Sequence, residues 1–461
     1  MMSGAPRPPL GPRYMRLLGS AGAANLGDGI MTVAVVWLAT SLTRDPLLIT
    51  LVTLASRLPW LLFTLHAGVL ADRYDRLRLV ATMDMMRAGV VAALTLAVAA
   101  VQTDLPDPAE VAASTASAPA AGLLLTGLCV AAFLLGAAEV VRDNAAQTLL
   151  PAIVPKERLE TANGRLWGVE TATNSFLGPP LAGALVGVAA AVPFGVNAVL
   201  LATAAALVVS IARGTPRTPA SGRDAVPASD STSSHLPAEG STGSTGSDTW
   251  NSDIAEGFRW LWAHPVLRLL ALSLGALNLL GAITSAVFVL FVQDVVGLFE
   301  GWQFGVILTG MATGGVTASI VGDRVAERLR RGTALAVSVT VMVAATMVIG
   351  VSSSAYVVWA AGAFEGFFVV LWNIVTVSFR QRIIPDRLLG RVNSVYRLFG
   401  WGTIALGSLS GGLIVSAAEP LLGREWALRS VFLLAAAGML VVLMAVVRNL
   451  HNDALERALD T

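Results

Sequence analysis

The chain has 461 residues, of which 55% are hydrophobic and only 13% charged, with a net charge of +1. Soluble domains carry about 25% charged residues, so this composition excludes a water-soluble globular protein and points to a polytopic membrane protein. Forty-four glycines and 21 prolines agree with that class, since both are commoner in membrane helices than in soluble ones. Nothing in the charge balance suggests a nucleic-acid partner. Cys129 is the sole cysteine and lies within an apolar run, which leaves no disulfide framework and no cysteine metal cluster.

In chain order, residues 1–14 form a polar, proline-rich tail without an A-x-A-like cleavage site, so no removable signal peptide is expected. A spanning helix needs about 20 mostly apolar residues. Six such runs fall near 15–42, 46–71, 77–101, 120–148, 161–189 and 192–213. Residues 214–251 are rich in Ser, Thr, Gly and Pro and read as a disordered linker. At 252–264, Ile254, Phe258, Leu261 and Trp262 share one helical face behind an Asp253–Glu256 capping pair, which predicts a short interfacial helix. Six further runs fall near 265–293, 302–323, 332–353, 355–381, 388–416 and 426–448, before a short tail at 449–461. The expected fold is all-α, with twelve transmembrane helices in two six-helix bundles, 15–213 and 265–448.

Arginine placement sets the expected orientation. With the N-terminus inside, the inner segments hold nearly all of the basic residues, including Lys156, the only lysine; the outer segments hold only Arg44, Arg424 and Arg429. The positive-inside rule then places both termini in the cytoplasm. Trp302, Trp359 and Trp426 fall at outer helix ends, where an aromatic belt belongs.

Two landmarks occur twice. GVLADRYDRLR (68–78) and GGVTASIVGDRVAERLRR (314–331) each put Asp-Arg at the end of an apolar run. PKERLETAN (155–163) and PDRLLGRVN (385–393) align without a gap between equivalent runs. Such matched halves mark a duplication, and in membranes the substrate path usually lies between the repeats.

These residues carry a resemblance. Over essentially its whole length the chain resembles the major facilitator superfamily. Gly68, Asp72, Arg73, Arg76 and Arg78 match that superfamily's signature between helices two and three. NSFLGPPLAGALVG (174–187) looks like the fifth-helix signature of its antiporters through Gly178, Pro179 and Gly183, although Ala182 stands where a second glycine is usual. SRLPWLLF (56–63) and AEGFRWLWAHPVLR (255–268) are similar to a bacterial subgroup containing siderophore (enterobactin), macrolide and multidrug exporters. The resemblance implies alternating access and proton-driven export through a bacterial cytoplasmic membrane. It also implies latches at the inner rim. Asp72 would meet the start of helix eleven near Arg391, and Asp323 with Arg324 would meet the start of helix five, in the outward-open state. The alternative for the arginines is that they only set topology.

Ionisable residues at membrane depth are costly and mark substrate or ion paths. Asp28, between Gly27 and Gly29, is the first proton-coupling candidate, with a fixed ion pair to Arg57 or Arg142 as the competing reading. Glu139 and Glu365 are further candidates, and structural roles compete for both. Arg142 and Asp143 are expected to snorkel to the interface. Asp84 and Arg87, at i, i+3 spacing, read as a local ion pair. Trp37, Trp60, Trp167, Asn174, Asn278, Trp372, Asn373 and Trp401 are cavity-lining candidates for an amphipathic substrate. Ordinary packing competes with that role for each aromatic.

The leading expectation is a proton antiporter, active as a monomer in the lipid bilayer, that exports small amphipathic molecules and confers antibiotic resistance. A proton-symporting importer on the same fold is the alternative. A non-transporting assembly factor or intramembrane enzyme is a third class. No zinc-protease motif or phosphate-binding loop appears, the histidines are scattered, and neither a metal nor a cofactor is expected.

Overall fold

A computed structural model of the chain describes residues 10–115, 121–147, 149–155, 158–213 and 256–459. The first half holds α1 (Gly11–Leu42), α2 (Pro46–Arg73), α3 (Arg76–Ala99), α4 (Ala121–Gln147) and α6 (Val192–Arg213). Between them, α5 runs in three pieces: Leu159–Thr171, a π-turn at Ala172–Leu177, and Gly178–Val186. The second half holds α7 (Pro265–Asp294), α8 (Gly301–Leu329), α9 (Arg331–Val351) and α10 (Ala355–Ile383). A continuous run from Asp386 to Asn449 contains α11 (386–422) and α12 (424–449), divided at Gly423, whose φ of 76° reverses the chain without a loop. A short helix, α13 (Asn452–Leu459), follows. The expected linker at 214–251 and residues 252–255 lie outside the described residues, whereas 256–263 are helical.

Among the described residues, ten helices are long and apolar enough to cross a membrane. One of these is the double crossing α11–α12, and α5 escapes the criterion because it is broken. The fold therefore has the twelve expected crossings. Sequence runs 388–416 and 426–448 differ from the structure chiefly in the loop expected between them. A single left-handed glycine suffices for the turn, since glycine enters that region without steric cost. The break in α5 has a local cause. Pro179 and Pro180 offer no backbone N–H, and their rings crowd the preceding turn, so the helix widens into a π-turn just before them.

Local chemistry sets several helix starts. Asp45 accepts a hydrogen bond from the Leu47 amide at 2.8 Å, with Pro46 opening α2. Asp75 accepts from Arg78 N at 2.8 Å at the start of α3. These residues supply acceptors or remove donors where a helix start leaves amides unpaired.

The two halves repeat one packing scheme. In the first, α2 packs on α4 and α3 on α6; in the second, α8 packs on α10 and α9 on the α11–α12 run. Across the halves, α2 meets α11 and α5 meets α8, forming two matching seams. Lipid supplies no hydrophobic drive between helices, so close approach of small residues carries much of this packing. A Cβ on Gly178 would sit 2.5 Å from Gly29 Cα in α1, and one on Gly183 2.7 Å from Trp302 Cα in α8. At the other seam, a Cβ on Gly412 would lie 2.9 Å from the Pro46 carbonyl oxygen.

The core is not distributed evenly along the helices. At the end far from the chain termini, one apolar cluster joins both halves, with Trp37, Ile49 and Phe194 beside Leu290, Phe304 and Phe432. At the terminal end the halves keep separate clusters. One holds Tyr14, Leu79, Leu149 and Val208; the other holds Leu267, Leu335, Phe379 and Tyr396. The molecule is thus sealed at the far end, and its described residues share no apolar cluster between halves at the terminal end.

Candidate functional site

The interior of the first half carries a network of charges. Asp28 projects from α1, Asp84 and Arg87 from α3, and Glu139, Arg142 and Asp143 from α4. Arg87 pairs directly with Asp28 through Nη2. The same guanidinium places Nη1 3.5 Å from Asp84 Oδ1, and Arg142 Nε lies 3.4 Å from that oxygen. Arg142 Nη1 donates to Asp143 Oδ1 at 3.1 Å. Glu139 has Asp28, Arg87, Asp143 and Arg57 as its charged neighbours. Glu170 of α5 faces Arg142 and Asp143 from the side.

Burial divides this network into two layers. The side chains of Asp84, Arg87 and Arg142 are 0%, 2% and 6% exposed, whereas Asp28 and Asp143 are 21% and 33% exposed. Arg87, Arg142 and Asp84 therefore form the dry layer, with Asp28 and Asp143 at the accessible edge. A buried guanidinium must be paired, and each of these two reaches two carboxylates. The four carboxyl groups Asp28, Asp84, Glu139 and Asp143 surround two arginines, with Arg57 nearby. The surplus acid can take up or give up a proton without stranding a buried cation. Asp84 Oδ2 has no hydrogen-bond partner among the described residues.

This arrangement differs from the sequence reading in two places. Asp28 finds Arg87 rather than Arg57 or Arg142, because α3 brings Arg87 across to α1 as well as alongside Asp84. Arg142 does not snorkel; it turns inward onto Asp84, where a carboxylate offsets its desolvation. The signal was the spacing of Asp84, Arg87 and Arg142 at membrane depth, which required an acid from another helix.

The other candidates scatter. Glu365 of α10 is half-buried, with Thr346 as its polar neighbour and no ion pair among the described residues. Trp37 packs on Phe304 with ring centres 6.0 Å apart, inside the sealed end. Trp60 lies with Ala67 and Val140 in a small core, and Trp372 is buried in the second-half core. Trp167 is exposed. Asn174 stands in the π-turn, where its backbone meets Gly29. Asn278 Nδ2 donates to the Gly400 carbonyl at 3.0 Å, tying α7 to α11, and Asn373 donates to Val369 O within its own helix.

Of the inner-rim candidates, Asp323 and Arg324 are exposed and make no ion pair among the described residues. Arg76 is half-buried at the start of α3. The side chains of Gly68, Asp72, Arg73, Arg391 and Trp401 lie outside the described residues. Gly178, Pro179 and Gly183 are buried where α5 meets α1 and α8.

A family model described as Major Facilitator Superfamily matches residues 17–408. No curated protein matches this sequence. Among solved structures, the chain is similar to a bacterial homologue of the iron transporter ferroportin in its inward-facing state. The TM-score is 0.63 at 17% identity, covering 95% of this chain and 98% of that one. The outward-facing state of that homologue gives a TM-score of 0.56 at 16% identity over the same coverage. The nucleoside transporter NupG gives 0.66 at 12% identity, covering 95% of this chain and 99% of that one.

Proposed function

The chain belongs to the Major Facilitator Superfamily, and on that premise we propose that it is a proton-coupled exporter of small amphipathic molecules of the drug, macrolide or siderophore kind. One observation carries this reading: the charge network of α1, α3 and α4, with more carboxyls than guanidiniums and with Asp28 and Asp143 on its accessible side. Asp28 is the proposed exchange group, because it is the accessible partner of the fully buried Arg87. Protonating Asp28 frees Arg87 to lean on Asp84, so one proton repartitions the network while every buried guanidinium keeps a carboxylate. Glu139 is the proposed relay, and Glu365 a second proton site in the other half.

Alternating access supplies the rest of the cycle. The arginine bias favours a cytoplasmic location for the terminal end, so the sealed far end corresponds to an inward-open state. Asp72 and Asp323 would engage their latches only after the inner rim closes, which agrees with an exposed Asp323 that makes no ion pair among the described residues. Each proton entering down the membrane potential contributes about 2.3 kcal/mol per 100 mV, enough to drive substrate outward against a gradient. The α5 contact at Gly178–Pro179–Gly183 supports the antiport direction by sealing α1 and α8 against leak.

The decisive experiment uses the purified protein in proteoliposomes with an imposed pH gradient. Asp28→Asn is expected to abolish gradient-driven transport while substrate binding remains detectable; normal coupled transport by that variant overturns the assignment. In cells, export predicts accumulation that rises when an uncoupler is added, and energised uptake instead would establish the importer.

A further inference from the structure

The far end contains a second set of charges, separate from the network in the first-half interior. Arg44 lies in the three-residue link between α1 and α2, and Asp294 is the last residue of α7. Their side chains form an ion pair, and Arg44 also donates to Gln293. Arg424, the first residue of α12, places Nε 3.0 Å from Asp294 Oδ2 and Nη1 2.9 Å from Glu419 Oε2. Its Nη2 donates to the Arg44 carbonyl at 2.9 Å. Beneath them, the fully buried Gln293 donates from Nε2 to Thr40 Oγ1 of α1 at 3.1 Å.

Four of these links run between the two halves: Arg44 to Asp294, Arg44 to Gln293, Arg424 to the Arg44 carbonyl, and Gln293 to Thr40. They lie directly beside the apolar seal of the far end. The side chains of Arg44, Asp294 and Arg424 are 16%, 12% and 24% exposed, so water reaches the edge of the group without dissolving it. A cavity of about 580 Å³ opens on it, with Asp45, Ser416 and Pro420 among its lining. Burial pushes the Arg44 guanidinium below the ordinary arginine range, and Asp294 acts in the opposite sense. Two arginines and two acids balance, so the closed group is neutral. When the halves part, each member faces water rather than hydrocarbon, which makes these contacts reversible.

We propose that Arg44, Asp294 and Arg424 form an ionic clasp that holds the far end shut, and that its release precedes discharge of substrate there. The clasp rests on the alternating-access reading above. It is the counterpart, for the opposite state, of the latches at the terminal end. Neutralising Asp294 removes the hub shared by both arginines and shifts the population toward the far-open state.

The test reads accessibility rather than transport. In a Cys129→Ser background, Val415→Cys places a thiol in the far-end core, where Val415 is fully buried. Vesicles exposing the far end are treated with a membrane-impermeant maleimide. Asp294→Asn is expected to label about tenfold faster, the ratio for a population shift of 1.4 kcal/mol. Asp294→Glu should retain slow labelling. Adding Arg44→Gln to Asp294→Asn should give no further increase, because both break one unit. Raised salt should speed labelling of the parent by screening the clasp, which provides a measurement if the neutral variants do not fold. Parental labelling rates in Asp294→Asn and Arg44→Gln, strictly additive effects, or no response to salt would each overturn the clasp. A labelling response in a protein that shows no proton-coupled transport would leave the clasp standing and remove the transport mechanism instead.

Discussion

The interiors of the two halves make an instructive contrast. Pro155 and Pro385 set an offset of 230 residues between them. At that offset Gly136 of α4 corresponds to Gly366 of α10, and the structure uses them alike: Gly136 closes on the Ser56–Pro59 stretch of α2, and Gly366 on Met311 of α8. The same offset pairs Glu139 with Val369, Arg142 with Trp372 and Asp143 with Asn373. Trp372 fills apolar space where Arg142 binds Asp84. Packing residues have thus been kept in both copies, while charge is concentrated in one. The reason is physical: both halves must bring helices close, whereas each buried charge demands partners that apolar packing does not.

This contrast can be tested from its strongest consequence downward. Arg87→Met strands Asp28 and leaves Asp84 with Arg142 alone, and should cost about 3–5 kcal/mol, read as a large drop in the thermal midpoint in detergent. If Arg87→Met is as stable as the parent, the first-half network is not what holds α1, α3 and α4 together. Gly178→Ala introduces a Cβ 2.5 Å from Gly29 Cα and should destabilise by about 1–3 kcal/mol, measured the same way. Both helices at that contact present backbone, which cannot rotate aside. Glu365→Gln in the second half should reduce gradient-driven transport in proteoliposomes less than Asp28→Asn does. An equal loss would give the two halves equal weight in proton handling and erase the division. The smallest effect is expected at Ser338, fully buried in α9, whose hydroxyl has no hydrogen-bond partner among the described residues. Ser338→Ala should leave the protein as stable or raise stability by about 1 kcal/mol, seen as a slightly higher midpoint.

The crossings were legible because membrane helices announce themselves by length and composition. Gly11–Leu42 and Pro265–Asp294 match their apolar runs within a few residues. The break in α5 was only half legible: Pro179 and Pro180 predict a bend, but not that the helix widens before them. The partner of Asp28 was not legible. Spacing reveals neighbours on one helix, such as Asp84 and Arg87, and is silent about which helix crosses beside them. The far-end arginines carried a signal that topology alone leaves unused. Arg44, Arg424 and Arg429 stood out as the exceptions to the inner arginine bias, and the structure holds all three. Arg44 and Arg424 meet at Asp294, while Arg429 is 5% exposed and donates to the Gly350 carbonyl at 3.0 Å. An arginine on the disfavoured side of a membrane invites a search for its carboxylate.

Gly423 gives the far end an unusual mechanical property. No loop separates α11 from α12, so Arg424 follows directly on the turn at Gly423. A swing of α11 away from Pro46 would therefore have no loop to absorb it before Arg424. In the clasp proposed above, lever and bolt would travel together.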